Sequence, residues 1–267
     1  MEDFLFKKAY GQNFLKDNNV ITNIVSGANI LPNSLVIEVG PGSGALTKEL
    51  AKVSKNVLCY EIDDRLEDIL DENLLGLKNV EIIFDDFLNR DITDDIKKYT
   101  YDNVYLVANL PYYITTPIIL KVIKSKVNFK NITIMVQKEV GDRFCAKVGT
   151  RDYSSITVFL NYYYDLKKLF IVNRNCFIPK PNVDSIVISL IAKDNRLEVL
   201  NEDFFFELIR ESFQFKRKNL RNNLKKYDLT IVEKVLAKYN FDLTVRAEQL
   251  SLPIFVDIAN NLCLKDI

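Results

Sequence analysis

Histidine and tryptophan are absent from this chain of 267 residues, and methionine occurs only twice. Without histidine there can be no Ser-His-Asp or Cys-His triad, no imidazole general base and few routes to a catalytic zinc site. The four cysteines, Cys59, Cys145, Cys176 and Cys263, are scattered, and no two form a CxxC pair. That spacing points to reduced structural thiols, not to a disulfide framework or a metal cluster. No run of about 18 apolar residues exists, so no transmembrane helix is expected. The apolar stretch Phe4-Leu5-Phe6 is too short for a secretory signal and is flanked by Glu2, Asp3, Lys7 and Lys8. A cytoplasmic protein is the expectation. Excess charge is also missing, since 36 basic residues balance 36 acidic ones. A nucleic-acid partner, if there is one, must therefore meet a local patch. One such patch is Lys216, Arg217, Lys218, Arg221, Lys225 and Lys226, which fall between Phe213 and Tyr227 with no acid among them. A run like this is either a solvated helix face or a surface that tracks phosphates.

What the chain does contain is a regular alternation. Leu35 to Val39, Val57 to Tyr60, Val80 to Phe84, Val104 to Ala108 and Ile132 to Val136 read as buried strands. Amphipathic segments separate them, for example Leu66, Ile69, Leu70 and Leu74 at helical spacing. Strands alternating with helices predict a parallel sheet wound with helices. Three later runs, Ser155 to Tyr164, Lys168 to Val172 and Ser185 to Ala192, lack long helices between them and are read as antiparallel strands that complete the sheet. Beyond Asn195 the pattern is helical, at Phe204 to Phe213, Leu220 to Leu224, Ile231 to Tyr239 and Ile254 to Leu262. A boundary at 195/196 is therefore expected, with an α/β domain before it and a small all-helical domain after it. No heptad or long apolar stripe argues for oligomerisation, so a monomer is expected.

Gly40-Pro41-Gly42-Ser43-Gly44 directly follows the first of these strands and precedes a helix. Glycines there let the backbone turn tightly and let a ligand approach. Glu61 ends the second strand, where a carboxylate can take two ribose hydroxyls. Nicotinamide cofactors and S-adenosylmethionine both satisfy that arrangement. The plainer reading of Glu61 is an acid ahead of the helix Ile62 to Leu74. Asp86 follows the third strand and can accept the amino group of an adenine ring, although either Asp85 or Asp86 can equally cap the next segment. Asn109-Leu110-Pro111-Tyr112 then closes the fourth strand. Asn and Pro are ordinary turn residues. They also suit methyl transfer to an exocyclic base nitrogen, whose lone pair is delocalised into the ring. The Asn109 side-chain oxygen and a carbonyl of the Leu110-Pro111 turn can hold the N–H groups and aim the lone pair, while Tyr112 can stack on the base. A dehydrogenase has no need of such a motif.

These residues resemble the ribosomal RNA adenine dimethyltransferases, in particular the bacterial small-subunit (KsgA or RsmA) group. The resemblance runs nearly end to end, through Tyr10 to Asp17, Glu38 to Gly44, Asn109 to Thr115, Gln137 to Val140, Phe177 to Ser185 and Arg246 to Ser251. It implies a Rossmann-like class I methyltransferase with a mostly parallel seven-stranded sheet over residues 1–195. It implies an RNA-binding helical C-terminal domain over 196–267. It further implies that Asn13, Leu15, Gly40, Gly42, Glu61, Asp86 and Asn109 contact S-adenosyl-L-methionine, with no metal. Asn109 and the Leu110-Pro111 backbone would hold the target amine, and Phe177 would stack on the adenine face opposite Tyr112. Without the resemblance, Phe177 reads as a core aromatic and Gln12-Asn13 as a loop. The implied substrate is a pair of adjacent adenosines in a hairpin near the 3' end of 16S rRNA, within the small ribosomal subunit or its precursor.

The sulfonium of such a donor is already electrophilic, so alignment and desolvation matter more than acid–base chemistry, in keeping with a chain that has no histidine. The target base must leave its stack, at a few kcal/mol, and aromatic stacking returns about 1–3 kcal/mol. Two rival readings remain at this point. One is a 23S rRNA adenine methyltransferase of the macrolide-resistance type, where Leu110 is usually Ile. The other is a non-catalytic ribosome assembly factor.

Overall fold

A computed structural model describes residues 13–264. The two-residue strand β1 (Phe14–Leu15) is followed by the helix Asn18–Ala28. Asp17 starts that helix, its carboxylate accepting from the Asn19 and Val20 N–H groups, and Asn29 ends it in the left-handed conformation. The remaining strands are β2 (Ser34–Val39), β3 (Asn56–Glu61), β4 (Val80–Phe84), β5 (Asn103–Asn109), β6 (Phe129–Gln137), β7 (Tyr164–Val172), β8 (Phe177–Ile178) and β9 (Ser185–Ala192). All but β1 and β8 form one seven-stranded sheet in the order β4-β3-β2-β5-β6-β9-β7.

The first five of these strands are parallel, and β9 runs antiparallel to β6. Every residue of β2 is buried, as expected of a central parallel strand covered on both faces. The chain winds outward from β2 to β3 and β4, then returns to the other side of β2 for β5 and β6. The order reverses between β2 and β5, and open α/β sheets place their ligands at the carboxyl ends of strands at such a reversal. β1 pairs with β8 as a separate antiparallel ribbon, with Leu15 opposite Phe177.

The five parallel strands lie where the sequence places them. The run Ser155 to Tyr164, read above as a strand, does not. Ser155–Tyr163 is an α-helix, begun by a reciprocal cap in which Ser154 and Thr157 bond each other's backbone or side chain. Val158, Leu160 and Tyr162 are buried, and Val158 and Tyr162 join a core with Phe205, Leu208, Val232, Leu236 and Phe255.

Packing divides the chain into two compact units. One runs to Gly141 and resumes over Lys167–Ala192; the other comprises Asp142–Leu166 and the chain from Lys193 onward. Residues 142–166, placed before the expected 195/196 boundary, thus pack with the helical C-terminal unit. That unit contains the helices Glu202–Ser212, Leu220–Asn223, Leu229–Lys238 and Leu252–Cys263. Among the described residues, no helix is long and apolar enough to cross a membrane.

Candidate active site

The carboxyl ends of β2, β3 and β5 and the turn after β4 surround one cleft. Its space, open mouth included, is about 970 Å³. Asn13, Leu15, Gly40, Gly42, Glu61, Asp86, Asn109, Leu110, Pro111 and Tyr112 all line it. Tyr10, Gly11 and Gln12 of the N-terminal motif lie outside the described residues.

The glycine turn is built around an aromatic ring. Gly42 has φ +58°, and a Cβ placed on it would lie 2.7 Å from two atoms of the Phe14 ring. A side chain there would meet both a backbone conformation costly for L-residues and a clash. The Gly42 N–H donates to Glu61 Oε2 at 3.1 Å, and the Asp63 N–H donates to Glu61 Oε1 at 3.0 Å. Glu61 therefore clamps the turn while facing the cleft, and burial pushes its carboxyl above the usual range against the pull of those N–H groups.

Asp86 is the cap weighed above and also lines the cleft. Its Oδ1 accepts from the Leu88 N–H at 2.8 Å, capping the short 3-10 turn Phe87–Asn89. Asp85 lines the cleft too and accepts from the Asp86 N–H at 2.8 Å. Behind this turn Arg90 forks onto Asp95 and reaches Asp85 at 3.4 Å, while the Tyr60 hydroxyl donates to Asp95 at 3.0 Å. Arg90 holds the Asp95 carboxyl below its ordinary value.

Asn109 is oriented by the chain itself. Its Nδ2 donates to the Asn13 carbonyl at 3.2 Å, which leaves Oδ1 as the acceptor end. The Pro111 carbonyl accepts from the Ile114 N–H at 3.3 Å and from the Thr115 hydroxyl at 3.2 Å. The Leu110 carbonyl is thus the backbone acceptor this turn can offer a substrate. Tyr112 begins the 3-10 turn Tyr112–Ile114, and burial raises its phenol, keeping it neutral.

Phe177 is not brought to the cleft wall. It is 2 % exposed and packs in the core with Leu15, Ile21, Ile24 and Val187, as its plainer reading has it. The basic segment is not a continuous helix. Residues 213–219 form turns between the helix ending at Ser212 and the single helical turn Leu220–Asn223. Arg217, Lys218, Arg221 and Lys225 lie along this segment, with Arg217, Arg221 and Lys225 exposed and Lys218 exposed too. Lys216 donates to the Arg151 carbonyl at 2.7 Å, and Lys226 pairs with Glu207 and Glu211.

Phe14 and Glu38 line the cleft without having been given a role in the sequence reading. Phe14 lies next to the expected Asn13 and Leu15. Glu38 sits inside the quoted motif and is 1 % exposed. Its Oε2 accepts from the Thr47 hydroxyl at 2.7 Å and the Cys59 thiol at 3.6 Å. Burial raises its carboxyl to about 7 against those two hydrogen bonds. An acid in an otherwise apolar strand was the available signal.

A glycine turn after the first sheet strand, a carboxylate after the second, another after the third and an Asn-Leu-Pro-Tyr turn after the fourth define a Rossmann-like S-adenosylmethionine-dependent methyltransferase. The family model described as ribosomal RNA adenine dimethylase matches residues 3–263. The chain belongs to that family. It is 44% identical over 268 residues to Ribosomal RNA small subunit methyltransferase A of Bacillus cytotoxicus, covering 97% of this chain and 92% of the relative. It is 43% identical over 270 residues to the protein of that name in Bacillus mycoides, covering 98% and 92%. Among solved structures, it is similar to a dimethyladenosine transferase from Plasmodium falciparum (27% identity, TM-score 0.79, 95% and 98% covered). It is also similar to the 23S rRNA methyltransferase ErmE (27% identity, TM-score 0.73, 94% and 100% covered).

Proposed function

We propose that the protein dimethylates N6 of two adjacent adenosines in a hairpin near the 3' end of 16S rRNA, within the small ribosomal subunit or its precursor, and that it works as a cytoplasmic monomer. The observation that carries the chemistry is the fixed amide of Asn109. With Nδ2 held by the Asn13 carbonyl, Oδ1 can accept one N–H of the target amine. The Leu110 carbonyl takes the other. Together they draw the nitrogen lone pair out of conjugation and toward the methyl group. The donor, S-adenosyl-L-methionine, brings a sulfonium-bound methyl that needs no further activation. Phe14, Gly42, Glu61 and Asp86 suit it: a turn whose positive φ and close Phe14 ring favour glycine, a carboxylate for the ribose hydroxyls and a carboxylate for the adenine amine. Asn109 is neutral, so it orients the amine and takes no full proton. Tyr112 supplies a stacking face for a base extruded from its helix. For Phe177 to supply the other face, the segment around it would have to turn the ring out of the core. The exposed basics from Lys216 to Lys225 are proposed to track RNA phosphates.

The test is transfer of labelled methyl to undermethylated small subunits, with large subunits and naked rRNA in parallel. Dimethyladenosine on small subunits alone is expected. Asn109→Ala should lower turnover about 10²–10³-fold, the usual cost of losing one preorganised hydrogen-bonding group in an active site, with donor affinity changed far less. Label on large-subunit rRNA would favour the 23S reading, and donor binding without any transfer would favour an assembly factor.

A further inference from the structure

The Tyr112 ring is held at both ends. On the backbone side, the 3-10 turn Tyr112–Ile114 is closed by the two hydrogen bonds to the Pro111 carbonyl. At the far end, the Tyr112 hydroxyl lies 2.5 Å from Ser185 Oγ. Ser185 is completely buried and is the first residue of β9, opposite Gln137 of β6 in an unbroken antiparallel ladder. It does not line the cleft.

We propose that Ser185 is a positioning residue for methyl transfer: it fixes where the Tyr112 ring stands, so that a base stacked on it presents N6 to Asn109 and the Leu110 carbonyl. This rests on the proposed role of Tyr112 as the stacking face. A ring tethered only at Cβ can swing between staggered wells about the Cα–Cβ bond. A hydrogen bond from the para oxygen to a rigid strand pins the far end of the ring axis and removes that swing. Misplacing a reacting atom by about 1 Å can cost about 10²-fold in rate.

The tether matters more in the second round. An unmodified adenine offers two N–H groups to two acceptors. A monomethylated one offers a single N–H, so its orientation depends more on the stacked ring. Loss of the tether therefore slows the second transfer more than the first, and monomethyladenosine accumulates.

The full-length chain is compared as wild type, Tyr112→Phe, Ser185→Ala and the double variant, on undermethylated small subunits, with both methylated nucleosides quantified over time. Each single variant should raise the ratio of monomethyl to dimethyl product several-fold, with the KM for S-adenosylmethionine unchanged. The double variant should be no worse than either single one, because both changes break the same hydrogen bond. An unchanged ratio in Tyr112→Phe at wild-type melting temperature would overturn the proposal, as would single-variant effects that multiply in the double. Tyr112→Ala separates the two claims. If it is inactive while Tyr112→Phe and Ser185→Ala behave as wild type, only the tether fails. If it retains full activity, the stacking role fails.

Discussion

Glu38 sits in a fully buried strand between Thr47 and Cys59, near enough to Glu61 for that carboxylate to disfavour charge on it. Its folded value of about 7 lies above the ordinary 4.5. Between those values the folded state keeps a proton that the unfolded chain has lost, so stability falls as pH rises through that window. Glu38→Gln keeps an acceptor for Thr47 and removes the titration. From about pH 5 to about pH 8 the melting temperature should therefore fall less in the variant than in wild type. Thermal melts in matched buffers measure this, and parallel curves would show that Glu38 does not titrate in that window. Nothing comparable is expected at Asn109, whose contribution is directional and independent of pH.

At the scale of elements, the turn after β2 and the ribbon β1·β8 act together, because the Phe14 ring occupies the space a side chain at position 42 would need. Gly42→Ala should weaken donor binding about tenfold, from a left-handed backbone penalty of about 1–2 kcal/mol plus displacement of Phe14. Calorimetric titration with S-adenosylmethionine measures it, and replacing Phe14 by Leu in that background should recover part of the loss. Equal affinity in Gly42→Ala and wild type would mean that the turn tolerates a side chain. Arg90→Ala is expected to raise the KM for the donor and leave that for rRNA alone, since Arg90 braces the turn carrying Asp85 and Asp86 through Asp95. Legibility also varies by element. The parallel strands were readable because each is a short apolar run, and four of them end at a glycine, carboxylate or amide facing the cleft. Ser155–Tyr163 was not, because Ile156-Thr157-Val158-Phe159-Leu160 is β-branched and aromatic, and burial over much of its surface erases the helical stripe. Its start signal used Thr157 where Glu or Gln is usual. The Tyr112–Ser185 hydrogen bond left no trace in the sequence, since it joins segments far apart in the chain and serine at a strand start is unremarkable. Phe177 shows the reverse case: a motif can mark a residue without showing whether its ring faces a cleft or a core.

For the whole molecule, a balanced net charge means that attraction to RNA must come from a few exposed cations. Neutralising Arg217, Lys218, Arg221 and Lys225 should weaken binding to small-subunit rRNA and make its salt dependence shallower, by roughly 0.7 to 0.9 in the log–log slope for each phosphate that is no longer neutralised. Lys226→Ala should change the slope less, because that ammonium is already neutralised by Glu207 and Glu211. Affinity measured across a salt series distinguishes them, and equal slopes in all variants would remove this segment from the RNA surface. The ribbon that joins Leu15 to Phe177 also has a consequence for how the protein is made. A nascent chain carries the glycine turn and the Asn-Leu-Pro-Tyr turn out of the ribosomal tunnel well before it carries β8. Until β8 follows, the segment bearing Asn13 and Phe14 has no strand to pair with. The cleft wall that Asn13 and Phe14 form is therefore expected to be completed only after most of the chain has been made.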